Sequence, residues 1–542
     1  MKKLKLAKLY DNKGYLLWLL SITPLLLFFI NRNNTPGFDW NYFNSLNLVT
    51  QNYFKDLGFP VIDLKICGGY DLAANPQSSI FSPLTLFLLF LNPYMANLVS
   101  IVFMSMISFV FMVKTIKKHE TFLVSYLGAT IFCLAPFFSL HFAEGHIPYR
   151  SFYLLPVLYY LLVENFNMKN AHSALLIGTF SLMDGGMYFL FFFTFFYVFH
   201  IIINYKNIDK YKVLFTKKTL FLLCGSLLVI LAKIYPLLAL HGNRQAIYNN
   251  GTFGLYDLVN SLFNIFLTNL DTFGNFPYRA HEYAHYVTIS LVTLFILVLF
   301  KEKKINKNII YFLFSFWIFT GWGGVFNPWT ILKIVPLLKN AHVQSRFSIF
   351  VFFFLIMIVS RGKIPNKVKI VLMIFAIAEL LFQNSFVFNR LWSGYTIPIT
   401  EYQYKKIEKI RNYSNYIMKP AIYNENKFSH SCYEPAQKHI LMKRLSLFGE
   451  ENSNIEISQE SMKSLVISST KLLPEKLLLN YKFNGGWHCN NCEVYNQDGL
   501  VFLENIGTTN KIIITYAPFY MPFIIGSYIM GLIVLVFGWR KE

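Results

Sequence analysis

The feature that most constrains this chain is a series of apolar runs, each close to the length of a membrane-spanning helix. A helix needs about 20 apolar residues, with a range of roughly 17–25, to cross the hydrocarbon core of a bilayer. Only 14% of the residues are charged and the mean hydropathy is +0.42, whereas soluble domains carry about 25% charged residues. We therefore predict an integral membrane protein. Its predicted transmembrane helices lie at residues 14–30, 93–113, 121–141, 150–164, 172–186, 187–204, 219–240, 284–300, 308–322, 346–360, 368–386 and 519–538.

The basic residues predict how these helices are oriented. They lie in short clusters between apolar runs, at residues 1–8, 114–119, 206–218, 301–308 and 361–369. With both termini in the cytoplasm, twelve alternating helices place every cluster on the cytoplasmic side, as the positive-inside rule requires. Joining 172–186 and 187–204 into one helix would break this agreement for every later loop. The net charge of +21 therefore indicates contact with anionic membrane lipids rather than nucleic acid, in a multi-pass inner or plasma membrane protein.

Three segments are large enough to carry function outside the cytoplasm: 31–92, 241–283 and 387–518. The first contains an apolar stretch at 83–91 that is too short to cross, which predicts an interfacial or re-entrant helix. Residues 481–516 alternate and are rich in β-branched side chains, as in antiparallel strands. The predicted fold is an all-α polytopic membrane protein with a small β-rich extracytoplasmic domain. Its parts are a transmembrane module (1–386), the β-rich domain (387–518), and the last helix with a cytoplasmic tail (519–542).

Ionisable residues near the membrane gather toward the outer ends of the predicted helices. Such residues are costly in lipid and are candidates for function. Each one alone could simply extend its charged end to the headgroups, but the set as a whole favours a polar cavity at the outer interface. Its members are Asp184, Lys233 and Glu379 within helices, and His141, Glu144, His146 and Arg150 in one short turn.

The first outer loop is the richest in candidate catalytic groups. Asp39 follows the first helix directly, and Gly68-Gly69 would let the backbone approach a ligand closely. A carboxylate at the membrane surface can act as a general base or hold a divalent cation beside a phosphate. A lone aspartate in a loop is more often a turn or cap residue, so composition alone does not assign catalysis to Asp39.

Histidines next to acidic residues raise the question of a metal site. His141, Glu144 and His146 lie within six residues but lack the spacing of helical zinc motifs. A polar loop that lines a binding pocket is therefore favoured over a metal site. The same reasoning applies to His281, Glu282 and His285.

The pair Cys489 and Cys492 forms a CxxC in the predicted β-rich domain. A zinc site would need further ligands that the sequence does not supply clearly, and a redox CxxC normally opens a helix. A structural disulfide between Cys489 and Cys492 is therefore the favoured interpretation.

The order of short motifs along the chain resembles the GT-C superfamily of membrane glycosyltransferases, specifically the bacterial YfhO-type proteins. The resemblance covers nearly the whole chain, although each motif is short. The motifs are Phe38-Asp39-Trp40, Cys67-Gly68-Gly69, Asn75-Pro76-Gln77-Ser78, Ser82-Pro83, His141 to His146, Asp184-Gly185-Gly186-Met187-Tyr188, Glu282-Tyr283, Gln344-Ser345-Arg346-Phe347 and Gly485-Gly486-Trp487.

This resemblance implies a GT-C-like fold and an enzyme that transfers a hexose or pentose from a polyprenyl-phosphate-linked donor. The acceptor would be a cell-envelope glycan, lipid or protein at the outer face. Asp39 matches the essential acidic residue of the first outer loop. Asn41 stands where a second acid is often found, so whether Asp39 also binds Mg²⁺ or Mn²⁺ stays open. The implied substrate-binding residues are Asn75, Gln77, Glu144, His146, Asp184, Glu282 and Arg346, with Arg346 suited to a phosphate.

Two other classes of function use the same sequence features. A transporter or flippase of lipid-linked saccharides would use the outer cavity without making bonds, but it predicts charges near the bilayer midplane and two related halves. A non-catalytic envelope assembly protein would depend on the β-rich domain instead. The assembly protein would tolerate loss of every outer carboxylate but not deletion of 387–518.

Overall fold

The computed structural model describes residues 14–27, 38–64, 69–75, 77–206, 211–212, 216–241, 252–268, 271, 279–302, 305–333, 343–390, 455–483, 485–497, 499–504, 506 and 509–540. The predicted positions Cys67 and Gly68 lie outside these residues, as does the whole of the segment 391–454. The described part is mostly helical. Its helices are α1 (Gly14–Leu27), α2 (Phe38–Lys55), α3 (Pro93–Lys117), α4 (Phe122–Cys133), α5 (Pro136–Glu144), α6 (Leu155–Tyr159), α7 (Met168–Met183), α8 (Met187–Ile203), α9 (Lys217–His241), α10 (Leu255–Phe263), α11 (Ile289–Lys301), α12 (Lys307–Thr320), α13 (Pro328–Leu332), α14 (Ser348–Arg361), α15 (Asn366–Arg390) and α16 (Met521–Arg540).

Six helical stretches within the described residues are long and apolar enough to span a membrane. Four shorter apolar helices accompany them: α1, α8, α11 and α12. Membrane character is therefore confirmed at this level, whereas the predicted count of twelve spans is not. The six stretches are Pro93–Lys117, Phe122–Glu144, Lys217–Leu238, Gln344–Arg361, Asn366–Asn389 and Met521–Trp539.

The segment at 172–204 forms two helices rather than one. Helix α7 ends where Asp184 to Gly186 turn the chain, and α8 begins at Met187. The Phe166 ring, just before α7, lies 5.0 Å from the Tyr211 ring, and the Tyr211 hydroxyl lies 3.0 Å from Nε2 of His200 in the last turn of α8. Because the start of α7 and the end of α8 meet at one residue, the two helices form an antiparallel hairpin.

The last helix packs closely along α9. A Cβ on Gly531 would lie 2.8 Å from the backbone of Gly225 and of Val229, and a Cβ on Gly225 would lie 2.9 Å from Val534. Small residues of this kind let two helices approach in lipid, where van der Waals packing replaces the hydrophobic effect. The opposite faces of both helices expose large apolar side chains, as expected for contact with lipid.

Two antiparallel sheets form the β-rich domain. Their strands are β3 (Ile455–Ser461), β4 (Ser464–Ser469), β5 (Lys476–Lys482), β6 (Trp487–Cys489), β7 (Glu493–Gln497), β8 (Leu500–Glu504) and β9 (Lys511–Tyr516). One sheet has the strand order β3-β4-β9-β6 and the other β5-β8-β7. In β9 the burial alternates, with Ile512, Ile514 and Tyr516 inward, which is the period-2 pattern predicted for this region. The strands begin earlier in the chain than the predicted position 481.

The loop after α2 is part of the core of this β-rich domain. Its short strands β1 (Ile62–Asp63) and β2 (Tyr70–Asp71) pair with each other, and Val61, Ile62 and Leu64 pack among the buried residues of the sheets. The Asp71 carboxylate accepts hydrogen bonds from the Tyr516 hydroxyl, at 3.2 Å, and from the Tyr520 hydroxyl at the start of α16. The first loop and the end of the chain therefore form one unit.

Two smaller predictions concern the same region. The apolar stretch at 83–91 contains a 3₁₀ helix (Pro83–Leu89), and the Ser82 hydroxyl accepts the backbone N–H of Leu84 as its N-cap. Cys489 and Cys492 form a disulfide between the end of β6 and the start of β7.

Candidate functional site

The Asp39 carboxylate lies at the start of α2, directly against the turn that follows α5. Nε2 of His146 is 3.0 Å from Oδ2 of Asp39, and Asp39 is buried. Gly145 makes this approach possible because it adopts a left-handed conformation (φ 107°), and a Cβ there would lie 2.2 Å from the Trp40 backbone nitrogen. Only glycine fits such a position without displacing the backbone. The Trp40 indole N–H donates to the Phe142 carbonyl at 2.6 Å and fastens α2 to the same turn.

Two further histidines surround His146. Nδ1 of His141 lies 2.8 Å from Nδ1 of His146, and the His281 ring centroid lies 5.3 Å from that of His146. His141 is fully buried, and its Nε2 has no hydrogen-bond partner among the described residues. The same holds for Nδ1 of His281. Three imidazoles from two distant segments of the chain therefore converge beside Asp39.

A buried ion pair closes the other side of this cluster. Arg346 donates from Nε to Oε2 of Glu282 at 2.9 Å, and Nη2 donates to Oε1. The guanidinium lies between two tyrosine rings, 5.2 Å from the centroid of Tyr149 and 5.1 Å from that of Tyr188. This bidentate, aromatic-flanked setting is one that arginine fills and lysine does not. We call Asp39, His141, His146, His281, Glu282 and Arg346 the histidine-acid cluster.

The charges in this cluster shift the pKa values of their neighbours. Burial disfavours protonation of His146, but the hydrogen bond and the negative charge of Asp39 outweigh it, so the pKa of His146 is raised. Burial lowers the pKa of His281 to about 4. For Glu282, the Arg346 guanidinium overcomes the effect of burial and holds the carboxyl pKa well below its usual range. The cluster therefore contains a carboxylate paired with an arginine (Glu282), one histidine with a raised pKa (His146) and one with a lowered pKa (His281).

A second buried ion pair lies near this cluster. Arg150 donates from Nε and Nη2 to the two oxygens of Asp184, at 2.7 and 2.6 Å, and from Nη1 to the Ser100 hydroxyl at 2.7 Å. Lys233 interacts electrostatically with Asp184, and its Nζ donates to the Ser78 carbonyl. The structure therefore brings Asp184 together with Arg150 and Lys233 rather than with Asp39.

The loop residues Asn75 and Gln77 contact α2 on one side and line a cavity beside the Asp184 ion pair on the other. The Asn75 amide donates to the Tyr42 hydroxyl at 2.7 Å, and its Oδ1 accepts the Gln77 backbone N–H at 2.9 Å. Gln77 lines a small polar cavity together with Arg150 and Asp184, and its Oε1 has no hydrogen-bond partner among the described residues. These two predicted residues therefore lie between α2 and the Asp184 pair.

Two residues that the sequence predicts near the site, Glu144 and Glu379, are not members of the histidine-acid cluster. Glu144 is buried in the last turn of α5, but the three residues whose ligand atoms converge are His141, His146 and Glu282. The Glu379 carboxylate accepts the Tyr286 hydroxyl at 2.7 Å and the Ile289 backbone N–H at 2.8 Å. Glu379 therefore satisfies the free N–H groups at the start of α11, which accounts for an acid in the apolar helix α15.

The donor atoms around Asp39 are a poor set for Mg²⁺. Magnesium prefers an octahedron of oxygen ligands, whereas a nitrogen atom, Nε2 of His146, lies 3.0 Å from the Asp39 carboxylate. Arg346 also differs from the simple phosphate ligand that the motif implies, because Glu282 engages its Nε and Nη2. A phosphate that reached Arg346 would therefore meet a guanidinium whose charge the Glu282 carboxylate already neutralises.

The sequence does not predict three residues that complete the site. It marks Arg150 only as one polar residue of a turn, and it does not mark Tyr149 or Tyr188 as site residues. Each adjoins a predicted position or motif: Tyr149 and Arg150 follow His146 closely, and Tyr188 ends the Asp184-to-Tyr188 motif. Proximity to a motif is the sequence signal that could identify these three residues.

Known proteins do not identify the chain. No family model matches it, no curated protein is significantly similar to it, and no solved structure matches it significantly. A functional assignment therefore depends on the chemistry of the described residues.

Proposed function

We propose that this protein is a membrane glycosyltransferase that transfers a sugar from a polyprenyl-phosphate-linked donor to a cell-envelope acceptor. The observation that carries the proposal is the buried pair of Asp39 and His146 beside further ionisable groups. Its support is the position of Asp39, which heads the helix after the first apolar helix, where the GT-C resemblance requires an acid. The apolar helices would hold a donor with a long lipid chain at the bilayer edge.

In this proposal Asp39 accepts the proton of the acceptor hydroxyl as that oxygen attacks the anomeric carbon of the donor. The bond between that carbon and the phosphate oxygen breaks, and the polyprenyl phosphate leaves with the electron pair. His146 fixes the orientation of the Asp39 carboxylate through the 3.0 Å contact. A positioned base of this kind contributes about 10²–10⁴-fold to a rate.

We further propose that the histidine-acid cluster faces the non-cytoplasmic side and that both termini lie in the cytoplasm. The basic clusters between helices support this orientation. Contacts at the opposite helix ends are consistent with it. Nη1 of Arg361 lies 2.7 Å from Glu164, and Nζ of Lys369 lies 2.8 Å from Glu120. Each pair joins segments that the charge pattern predicts to be cytoplasmic.

The test is a pair of matched substitutions, one in the first turn of α2 and one just after its last residue. Asp39→Asn keeps the size of the side chain but removes the base, whereas Asp56→Asn changes an exposed aspartate just beyond the end of the same helix. Both variants are purified, reconstituted in proteoliposomes and supplied with polyprenyl-phosphate sugars and membrane acceptors. We expect Asp39→Asn to lose about 10²–10⁴-fold in turnover and Asp56→Asn to match the wild type. Equal turnover by both variants, or movement of the donor across the bilayer without a new glycosidic bond, contradicts the proposal.

A further inference from the structure

His141, His146 and Glu282 are the one group among the described residues whose potential ligand atoms converge as in a metal site. Their ligand atoms lie within 4.8 Å of one another. Two of the residues flank the Gly145 turn, and the third comes from a loop more than a hundred residues later. The fold, rather than a local motif, brings these three residues together.

The type of ligand selects the class of cation. Two imidazoles and one carboxylate form a three-ligand set that zinc sites use when they keep a fourth position open. Nitrogen ligands favour zinc and related divalent transition metals over Mg²⁺ and Ca²⁺, which bind oxygen. Metal-bound nitrogens in a tetrahedral site lie about 3.3 Å apart, given zinc–nitrogen bonds of roughly 2.0–2.1 Å. The two Nδ1 atoms lie 2.8 Å apart, so they would need to separate by only about half an ångström.

Asp39 and Arg346 contact the proposed ligands in the way that neighbouring groups orient the ligands of known metal sites. A metal-bound histidine usually donates its other ring N–H to a carboxylate, and His146 has Nε2 3.0 Å from Asp39. That contact would leave Nδ1 of His146 as the lone-pair nitrogen, facing His141. Arg346 holds both oxygens of Glu282 in the same way.

The same cluster holds two further buried nitrogens without a partner. His141 is fully buried and Nδ1 of His281 is buried beside it, yet Nε2 of His141 and Nδ1 of His281 have no hydrogen-bond partner among the described residues. Buried polar atoms are normally satisfied, and an exception requires an explanation. Because His141 would bind the metal through Nδ1, the metal would not satisfy its Nε2, and these two atoms instead indicate that a polar group besides the metal fits this cluster.

We infer that His141, His146 and Glu282 form a binding site for one zinc ion or a related divalent transition metal, with Asp39 and Arg346 orienting the ligands. The inference goes beyond sugar transfer and does not depend on it. The fourth coordination position can take an oxygen atom from water or from a bound hydroxyl or phosphate.

The test measures metal binding directly on the full-length protein. The wild type and a His141→Ala/His146→Ala variant are purified in detergent through a tag without histidines, stripped with a chelator, and reloaded with Zn²⁺. Metal content is measured by mass spectrometry. We expect about one zinc ion per chain in the wild type and none in the variant. His119→Ala, which alters a half-exposed histidine paired with Glu164, serves as the matched control and should keep the metal.

A second measurement guards against a variant that fails to fold. Co²⁺ added to the chelator-treated wild type should give the visible absorption of a tetrahedral nitrogen–oxygen site, and Zn²⁺, but not Mg²⁺, should abolish it. Arg346→Met should weaken zinc affinity by about 10–100-fold, as loss of an orienting partner does elsewhere. The inference is overturned if the wild type binds no more zinc than the double variant, or if Co²⁺ shows only the spectrum of the hydrated ion. Neither outcome bears on whether Asp39→Asn retains sugar transfer.

Discussion

The buried charges around Asp184 lead to a quantitative prediction about stability. Asp184 is the anion shared by two cations: it is bound by the Arg150 guanidinium at 2.6 and 2.7 Å and interacts electrostatically with Lys233. All three side chains are buried. Asp184→Asn would leave two buried cations without their anion, whereas Arg150→Met would leave Asp184 with Lys233 still nearby. We therefore expect the aspartate substitution to be the more damaging of the two.

The magnitude follows from the distances. Two unit charges about 4 Å apart attract by about 4 kcal/mol at an effective dielectric constant of about 20. Removing one partner of a buried ion pair costs about 3–5 kcal/mol, because the other charge stays buried. Asp184→Asn should therefore lower the free energy of unfolding by about 3–5 kcal/mol, and Arg150→Met by less.

The assay is unfolding of the purified protein in mixed micelles by a denaturing detergent, followed by tryptophan fluorescence. The matched control is Glu504→Gln, which breaks the exposed pair with Lys476 on the β-rich domain (2.5 Å). It should unfold like the wild type, since exposed ion pairs contribute little. The reasoning is refuted if Asp184→Asn unfolds within about 1 kcal/mol of the wild type, or if Arg150→Met is the more destabilised variant.

Two further predictions concern backbone approach and buried hydrogen bonds. Gly145→Ala should reduce the amount of folded protein on size-exclusion chromatography, because its Cβ would lie 2.2 Å from the Trp40 backbone nitrogen. Gly526→Ala, where a Cβ meets open space, should elute like the wild type. Equal elution profiles for the two variants contradict this prediction. Tyr520→Phe removes a hydrogen bond to the buried Asp71 carboxylate. It should lower the free energy of unfolding by about 1–3 kcal/mol in the detergent titration. An unchanged unfolding midpoint contradicts this prediction.

The sequence was sufficient where a local pattern determines the structure. Apolar length and charge alternation separated 172–186 from 187–204, and the structure has a helix hairpin there, turning at Asp184 to Gly186. The alternation in 481–516 likewise predicted strands that the structure contains. These features are local because apolar length and side-chain period act within one helix or one strand.

The sequence was insufficient where two distant segments form one site. Glu144 is the acid closest in sequence to His141 and His146, yet the acid that converges with them is Glu282. The sequence suggests that Arg346 is available to a phosphate, whereas the structure shows it in a bidentate pair with Glu282. Composition does not show which distant charged groups pair with one another, because only the packing of the helices determines which of them become neighbours.

The packing of the first loop into the β-rich core has a consequence for how often the chain crosses the bilayer. Val61, Ile62 and Leu64 share one core with strands that begin at Ile455, so both segments must lie on the same side. An even number of crossings must therefore separate them. Of the six long apolar stretches among the described residues, five lie in between, which is an odd number. If all five cross the bilayer, at least one further segment must cross as well, and the ten crossings that the twelve-span prediction places there have the required parity.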